Sequence, residues 1–145
     1  MILDAGCGRR SKPRLQGTIG LDIKPSVRPD VVGTIERLPF KSHVFQTVIA
    51  SHVLEHVYRD LEALREFHRV LVPGGKLLLS TPNEQAYDRL WRTLRRKPAS
   101  GSRGGHVRDG YCACVLERWL LDCGFKPRRR SFAFSRHIVE EAIAI

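Results

Sequence analysis

The sequence predicts an α/β fold: an open sheet with a ligand at the carboxyl ends of its strands. Three observations predict it. Apolar runs of strand length alternate with segments of helical period. The first run, Met1 to Asp4, passes straight into a glycine turn, Ala5-Gly6-Cys7-Gly8. An acid, Asp22, closes the second run.

Taken in order, Met1 to Asp4 reads as a buried strand. Thr18 to Ile23 (TIGLDI) reads as a second, closed by Asp22 and then Lys24-Pro25. The intervening segment is short and contains Pro13, so a loop or a single turn is expected there in place of a crossover helix. Asp30 to Gly33 (DVVG) reads as a third short strand and Leu38-Pro39-Phe40 as a turn. Phe45 to Ala50 (FQTVIA), with its β-branched content, reads as a fourth strand. Leu61, Leu64, Phe67 and Leu71 then recur at helical spacing, with Glu62, Arg65, Glu66 and Arg69 on the other side. Val72-Pro73-Gly74-Gly75 stops that helix, and Lys76 to Ser80 (KLLLS) has the pattern of a strand buried on both faces. Tyr87, Leu90, Trp91 and Leu94 mark a basic amphipathic helix carrying Arg89, Arg92, Arg95 and Arg96, and Lys97 to Gly105 a surface loop. Val115, Leu116, Trp119 and Leu120 mark a further helix with Gly124 as its left-handed cap. The tail from Lys126 to Ile145 suits two antiparallel strands at a sheet edge.

At 145 residues and 42% hydrophobic content the chain has the size and apolar fraction of a single domain, 1–145. Lys and Arg number 25 against 15 Asp and Glu, a net charge of +10, which permits nucleic acid, an anionic membrane or an acidic substrate without choosing among them. No run approaches the roughly 20 apolar residues of a membrane span, and no signal peptide is visible. Cys7, Cys112, Cys114 and Cys123 are too unevenly spaced for a disulfide framework and have no partners at zinc-finger spacing. They read as cytoplasmic thiols, a disulfide staying open for a hyperthermophile cytosol. The expected localisation is cytoplasmic, and no metal site, P-loop or Ser-His-Asp pattern is evident.

Gly6 and Gly8 let backbone amides come close to a ligand where side chains would obstruct. Alone, so short a pattern suits an empty tight turn equally well. Asp22 shifts the balance, because a carboxylate at the end of the second strand accepts both hydroxyls of a ribose.

Five ordered segments carry a resemblance: ILDAGCG, GLDI, DVVGTIERLPF, FQTVIASHVLEHV and LEALREFHRVLVPGGKLLLSTPN. Together they resemble the class I S-adenosylmethionine-dependent methyltransferases, and more closely the methyltransferase type 11 family, over roughly residues 1 to 83. The resemblance weakens through HVRDGY and LLDCGF to about residue 125. It implies a Rossmann-like, seven-stranded, mostly parallel sheet with one antiparallel strand near the carboxyl end, and S-adenosyl-L-methionine as cofactor. It also implies that Asp4, Ala5, Gly6, Cys7 and Gly8 surround the methionine part of the cofactor, that Asp22 holds the ribose and that Ile23 packs on the adenine. Thr34, Ile35 and Glu36 fall where the family's loop covers the adenine edge, and Ser51 and His52 where the fourth strand meets the sulfonium. On this reading 1–83 is a cofactor-binding half, 84–110 a variable helix and loop acting as a lid, and 111–145 a carboxyl-terminal helix and edge strands.

Three positions depart from the family pattern. The third glycine falls near Arg10, the acid before LPF is Thr34, and the Asp after the Phe of the fourth strand is Gln46. The Thr34 hydroxyl can still bond an adenine amino group. Family members commonly have one or two helices before the first strand, which this sequence does not show. The expected site is therefore more open than usual, or is covered by a partner subunit, as in a homodimer, or by 84–110.

In methyl transfer from a sulfonium the protein aligns the groups and excludes water, and a base is needed only for a protonated acceptor. His52, directly after the fourth strand, ranks first as that base; His106, beyond the glycine loop, is the second candidate. His56 reads as a helix-start or packing residue, and His43, His68 and His137 as surface positions. Thr81-Pro82-Asn83 lines the pocket or initiates a turn. The place where base-amino methyltransferases carry Asn-Pro-Pro-Tyr reads ASHVLEH, which disfavours methylation of a base. The Arg-rich helix and KPRRR suit an anionic acceptor (a phosphorylated metabolite, a lipid headgroup or RNA) or, the favoured reading, a solvated face, since no aromatic stacking ladder accompanies the charge. The function expected is methyl transfer to a small-molecule acceptor. A non-catalytic cofactor-binding domain and a basic RNA-binding or RNA-methylating protein are the alternatives.

Overall fold

The computed structural model describes residues 1–9, 16–83, 110–133 and 137–145. Its strands are β1 (Ile2–Ala5), β2 (Thr18–Asp22), β3 (Val31–Val32), β4 (Phe45–Ser51), β5 (Leu71–Pro82), β6 (Phe125–Ala133) and β7 (His137–Ala144). The α-helices among the described residues are α1 (Asp60–Val70) and α2 (Ala113–Asp122). Single 3-10 turns occupy Pro25–Val27 and Leu54–His56.

The strands form one seven-stranded sheet in the order β3-β2-β1-β4-β5-β7-β6. β1 pairs in parallel with β2 and β4, β2 with β3, and β4 with β5, whereas β7 is antiparallel to both β5 and β6. This is the seven-stranded, mostly parallel α/β sheet the resemblance implies. The tail differs from the expectation in one respect: only β6 lies at the edge, and β7 is inserted between β5 and β6. A strand with two hydrogen-bonded neighbours must fit a packed layer, and β7 alternates strictly between half-buried and buried positions.

α1 forms because its apolar residues fall on one face and no Gly or Pro interrupts it. Ala63, Leu64, Phe67 and Val70 are buried, Asp60 and Glu62 stand in the first turn and His68 and Arg69 in the last, as the helix dipole favours. The helix packs on β5 and against α2, which in turn packs on β6. Between helices and sheet lies one core, to which Leu3, Ala5, Leu21, Val48, Ala50, Leu77, Leu79, Leu116, Leu120, Ile138 and Ala142 contribute. Arg69 ties α1 to the turn before β4: it donates to the carbonyls of Leu38 at 3.1 Å and Phe40 at 2.9 Å, and its guanidinium holds the Glu66 carboxyl below the usual carboxylate range. Glu66 in turn accepts the Leu38 amide at 2.7 Å.

Val72-Pro73-Gly74-Gly75 does more than stop α1. It belongs to β5, where the register jumps from Phe45↔Leu71 to Thr47↔Lys76, so those residues stand opposite Gln46 as a wide irregularity. Gly124 follows α2 at a φ of 86°, the left-handed cap its position suggested. None of the four cysteines is joined in a disulfide. Among the described residues no helix is long and apolar enough to cross a membrane. The loop expected before β2, the basic helix with Arg89 to Arg96, the Lys97 to Gly105 loop and His106 lie wholly or largely outside the described residues.

Candidate functional site

In a parallel sheet the strands present their carboxyl ends at one rim, so the residues following β1, β2, β4 and β5 meet there. β7 runs the other way and places its first residue at the same rim, His137 lying opposite Pro82. This topology brings together the glycine turn, Asp22, the segment from Ser51 to Glu55, Thr81 to Asn83, and His137.

The glycine turn is held by β2. The amides of Gly6 and Cys7 both donate to the Leu21 carbonyl, at 2.8 and 3.0 Å, and the Gly8 amide donates to Asp22 Oδ2 at 2.9 Å. Asp22 Oδ1 accepts the Lys24 amide at 2.9 Å. The carboxylate is 9% exposed and so is fixed in place by two main-chain bonds, while each oxygen keeps lone-pair capacity for a further donor. Ile23, beside it, is 66% exposed, an apolar side chain left open at the rim.

Gly6 and Gly8 both have positive φ, 72° and 55°, but for different reasons. A Cβ on Gly6 would stand 2.3 Å from Val53 Cγ2, so the loop after β4 needs that glycine for its own packing. Among the described residues a Cβ on Gly8 would meet nothing within 4 Å. Gly6→Ala is therefore expected to destabilise by about 2 to 3 kcal/mol, combining left-handed strain with overpacking. Gly8→Ala should cost about 1 kcal/mol from strain alone. Urea denaturation of the two variants checks this, and equal losses would contradict the close contact with Val53.

The other cofactor candidates are placed as follows. Asp4 is half-buried on β1, and Ala5 is wholly buried in the core below the turn. Thr34 accepts the Glu36 amide on its hydroxyl at 3.2 Å, and Glu36 accepts the Arg59 amide at 3.0 Å, bracing the loop against the start of α1. The Ile35 side chain is turned into the core at 4% exposure, so only its backbone is available at the rim. Ser51 ends β4 with its hydroxyl 3.0 Å from that of Ser80.

His52 follows with a φ of 51°, a strained conformation for a residue with a side chain, and its amide donates to the Ser80 carbonyl at 2.9 Å. Its Nδ1 lies 3.4 Å from Glu55 Oε1, and its ring stands edge-on to His137 at 4.6 Å. Glu55 is fully buried and accepts the Thr81 hydroxyl at 3.3 Å. His137 and His68 are half-buried, contrary to the surface placement the sequence suggests: His137 faces His52, and His68 bonds the Ile145 carbonyl at 3.1 Å and packs on Phe125. His43 is exposed, and so is His56 at the end of its 3-10 turn. Asn83 bridges to Tyr111, whose hydroxyl donates to the Leu54 carbonyl at 3.1 Å and to buried Asp60 at 3.2 Å, fastening the start of α1 under the rim. Glu55 and His137 are the rim residues that sequence reading missed. The available signal for Glu55 was its i,i+3 spacing from His52; none pointed to His137.

A ligand with a ribose and a flat base suits these residues: a fixed carboxylate at Asp22, an exposed Ile23 for the base, and no described side chain within 4 Å of a Cβ placed on Gly8. Among the described residues no group of three His, Cys, Asp or Glu is placed to hold a metal ion.

Comparison with known proteins shows the family and the fold. A family model described as a methyltransferase domain matches residues 3–79. A demethylmenaquinone methyltransferase from Mycobacterium bovis is 44% identical over 99 residues, which cover 63% of this chain and 42% of that protein. The chain thus spans less than half the length of that curated relative. Among solved structures, a SAM-dependent methyltransferase from Methanosarcina mazei superposes with a TM-score of 0.74 at 20% identity, covering 99% of this chain and 92% of that one. The [4+2]-cyclase SpnF gives a TM-score of 0.74 at 17% identity, covering 99% and 74%. These likenesses show the fold. The matched span runs from β1 through most of β5 and takes in the whole glycine turn, Asp22 and His52, and on that ground the chain belongs to the methyltransferase domain family.

Proposed function

We propose that the chain transfers a methyl group from S-adenosylmethionine to a small-molecule acceptor, and that the rim residues described above are where it does so. The observation that carries the reading is the Asp22 carboxylate, nearly buried yet pinned by the Gly8 and Lys24 amides beside an exposed Ile23. That is the arrangement a ribose and an adenine need. When bound, the cofactor supplies a methyl group already activated on a sulfonium. The chain then has to bind, orient and exclude water.

Asp22 holds the ribose hydroxyls and Ile23 offers an apolar surface to the base. The backbone from Asp4 to Gly8 borders the methionine end, with Cys7 among it. The Thr34 to Glu36 loop bounds the base, Ile35 through its backbone. Ser51 and His52 stand where the acceptor approaches. His106, the second candidate proton acceptor, and residues 84–109, expected as a cover, lie outside the described residues, and a second copy of the chain is the alternative cover. A small acceptor is favoured because the related Mycobacterium protein is named for demethylmenaquinone, a small molecule. SpnF shows that this fold also hosts a cyclase, so the acceptor is to be established by chemistry and not by fold.

The test is to incubate the full chain with cofactor carrying a tritiated methyl group and a cell lysate, then separate small molecules from RNA and protein. Label in the small-molecule fraction is expected. Label confined to RNA would favour the basic RNA-methylating alternative, and intact cofactor binding with no label transferred would favour a binding domain.

A further inference from the structure

Glu55 has no role in the reading so far, yet it is the most constrained charge at the rim. Its side chain is 0% exposed, one carboxylate oxygen bonds the Thr81 hydroxyl, and the other, Oε1, has no hydrogen-bond partner among the described residues. A buried carboxylate oxygen in that condition is costly unless a donor reaches it. The polar atom recorded beside it is His52 Nδ1, at 3.4 Å. Catalytic hydrogen bonds are often this long before the acceptor is bound. His52 is brought to that position by a left-handed backbone at 51°, and the half-exposed ring is backed edge-on by His137. Strain that aims one imidazole nitrogen at a buried carboxylate leaves the other nitrogen, Nε2, for a ligand at the rim.

We infer that Glu55 is a positioning residue that fixes the proton of neutral His52 on Nδ1, making Nε2 a proton acceptor, and that the methyl acceptor is therefore a hydroxyl compound that must give up its proton. This rests on the proposed methyl transfer. In the step, the hydroxyl proton passes to His52 Nε2. The electron pair of the acceptor oxygen, or of the ring carbon it activates, bonds the methyl carbon, while the carbon–sulfur pair leaves with the sulfur; on the carbon route the proton of that ring carbon then moves to the oxygen and restores the hydroxyl. The imidazolium formed lies beside the Glu55 carboxylate, which offsets its charge, and later returns its proton to water. Among the described residues, the groups facing His52 from the packed elements are Glu55 from the turn after β4, His137 from β7 and the Ser80 carbonyl from β5.

The experiment is long-range proton–nitrogen NMR on the full chain labelled at histidine nitrogens, with His52→Asn assigning the resonance. Asn tolerates the left-handed backbone, so that variant preserves the turn. Neutral His52 is expected with its proton on Nδ1. Glu55→Leu, which fills the buried space without an acceptor, should return it to the Nε2–H form preferred by free histidine. Calorimetry with S-adenosylhomocysteine accompanies Glu55→Leu, and affinity within about twofold of the parent shows that the rim is intact. An Nε2–H tautomer in the parent, or no change in Glu55→Leu with affinity retained, overturns the inference. Where labelled product forms, its methyl should sit on an oxygen, or on the ring carbon of a hydroxyl-bearing compound. A methyl on nitrogen or sulfur would also overturn it. Loss of S-adenosylhomocysteine binding by the parent chain itself counts against the methyl-transfer reading, while the tautomer stands as a separate result.

Discussion

Asp22→Ala is expected to weaken binding of S-adenosylmethionine by at least tenfold, and by about 100-fold where two hydrogen bonds to the charged carboxylate are lost, while the chain stays folded. The fold tolerates the change because Asp22 stands at the end of β2 and its two partners, the Gly8 and Lys24 amides, are only partly buried and can turn to water. The cost is concentrated at the ligand. The carboxylate is held rigidly before the ligand arrives, so its hydrogen bonds are made with little ordering cost. Asp22→Asn should fall between the parent and Asp22→Ala, since the amide keeps one acceptor for the turn but replaces the other with a donor. Calorimetry and circular dichroism on the same samples separate binding from folding. Unchanged affinity in Asp22→Ala would show that the ribose is held elsewhere.

Arg130→Met should lower stability by about 3 kcal/mol, because it leaves a buried carboxylate without its cation. Glu140 lies inside the sheet on β7 at 1% exposure, and Arg130 on the edge strand β6 donates its Nε to Glu140 Oε1. The same guanidinium reaches Glu117 on α2 at 3.1 Å, clipping the edge strand to both its neighbour and the helix above. Burial pushes the Glu140 carboxyl up despite Arg130, and Glu140 Oε2 has no hydrogen-bond partner among the described residues. The sign follows from the raised value. The folded state holds this proton more tightly than the unfolded state, so the contribution of Glu140 to stability is greatest in acid and is lost as pH rises through its folded value. Removing Arg130 raises that value further, so the deficit of Arg130→Met should be largest near neutral pH and shrink as the pH falls. A fall of about 10 °C in Tm at neutral pH is the corresponding thermal result. Arg130→Met combined with Glu140→Leu should recover most of the loss, since an apolar pair of similar volume needs no solvation. A single-variant loss below about 0.5 kcal/mol would mean that solvent screens the pair.

The parallel half of the sheet was legible because each strand is an apolar run with its own punctuation: Gly6 after β1, Asp22 and Lys24-Pro25 after β2, and Phe45 to Ala50 with β-branched residues at β4. α1 and α2 were legible from period, and Gly124 from its place past the last apolar residue. Other features depend on contacts that no local pattern carries. Val72 to Gly75 looks like a loop because Pro and Gly break regular structure, yet β4 pairs with β5 on both sides of it. The insertion of β7 between β5 and β6 is a long-range choice, and a Glu at a buried position of HIVEEAIA hides how deeply that strand sits until Arg130 is seen opposite. At the site, Asp22 and His52 were legible from their places at strand ends. The core position of the Ile35 side chain was not, since an apolar residue in a loop suits a base or a core equally. Glu55 bonds Thr81 and the His137 ring stands against His52, contacts between residues distant in sequence.

Whether this rim binds S-adenosylmethionine is settled most directly by titration calorimetry of the full chain with S-adenosylmethionine and, in parallel, with NAD. One-to-one binding of S-adenosylmethionine at micromolar concentration is expected, with no heat from NAD. No binding of S-adenosylmethionine at millimolar concentration by the folded chain would contradict it.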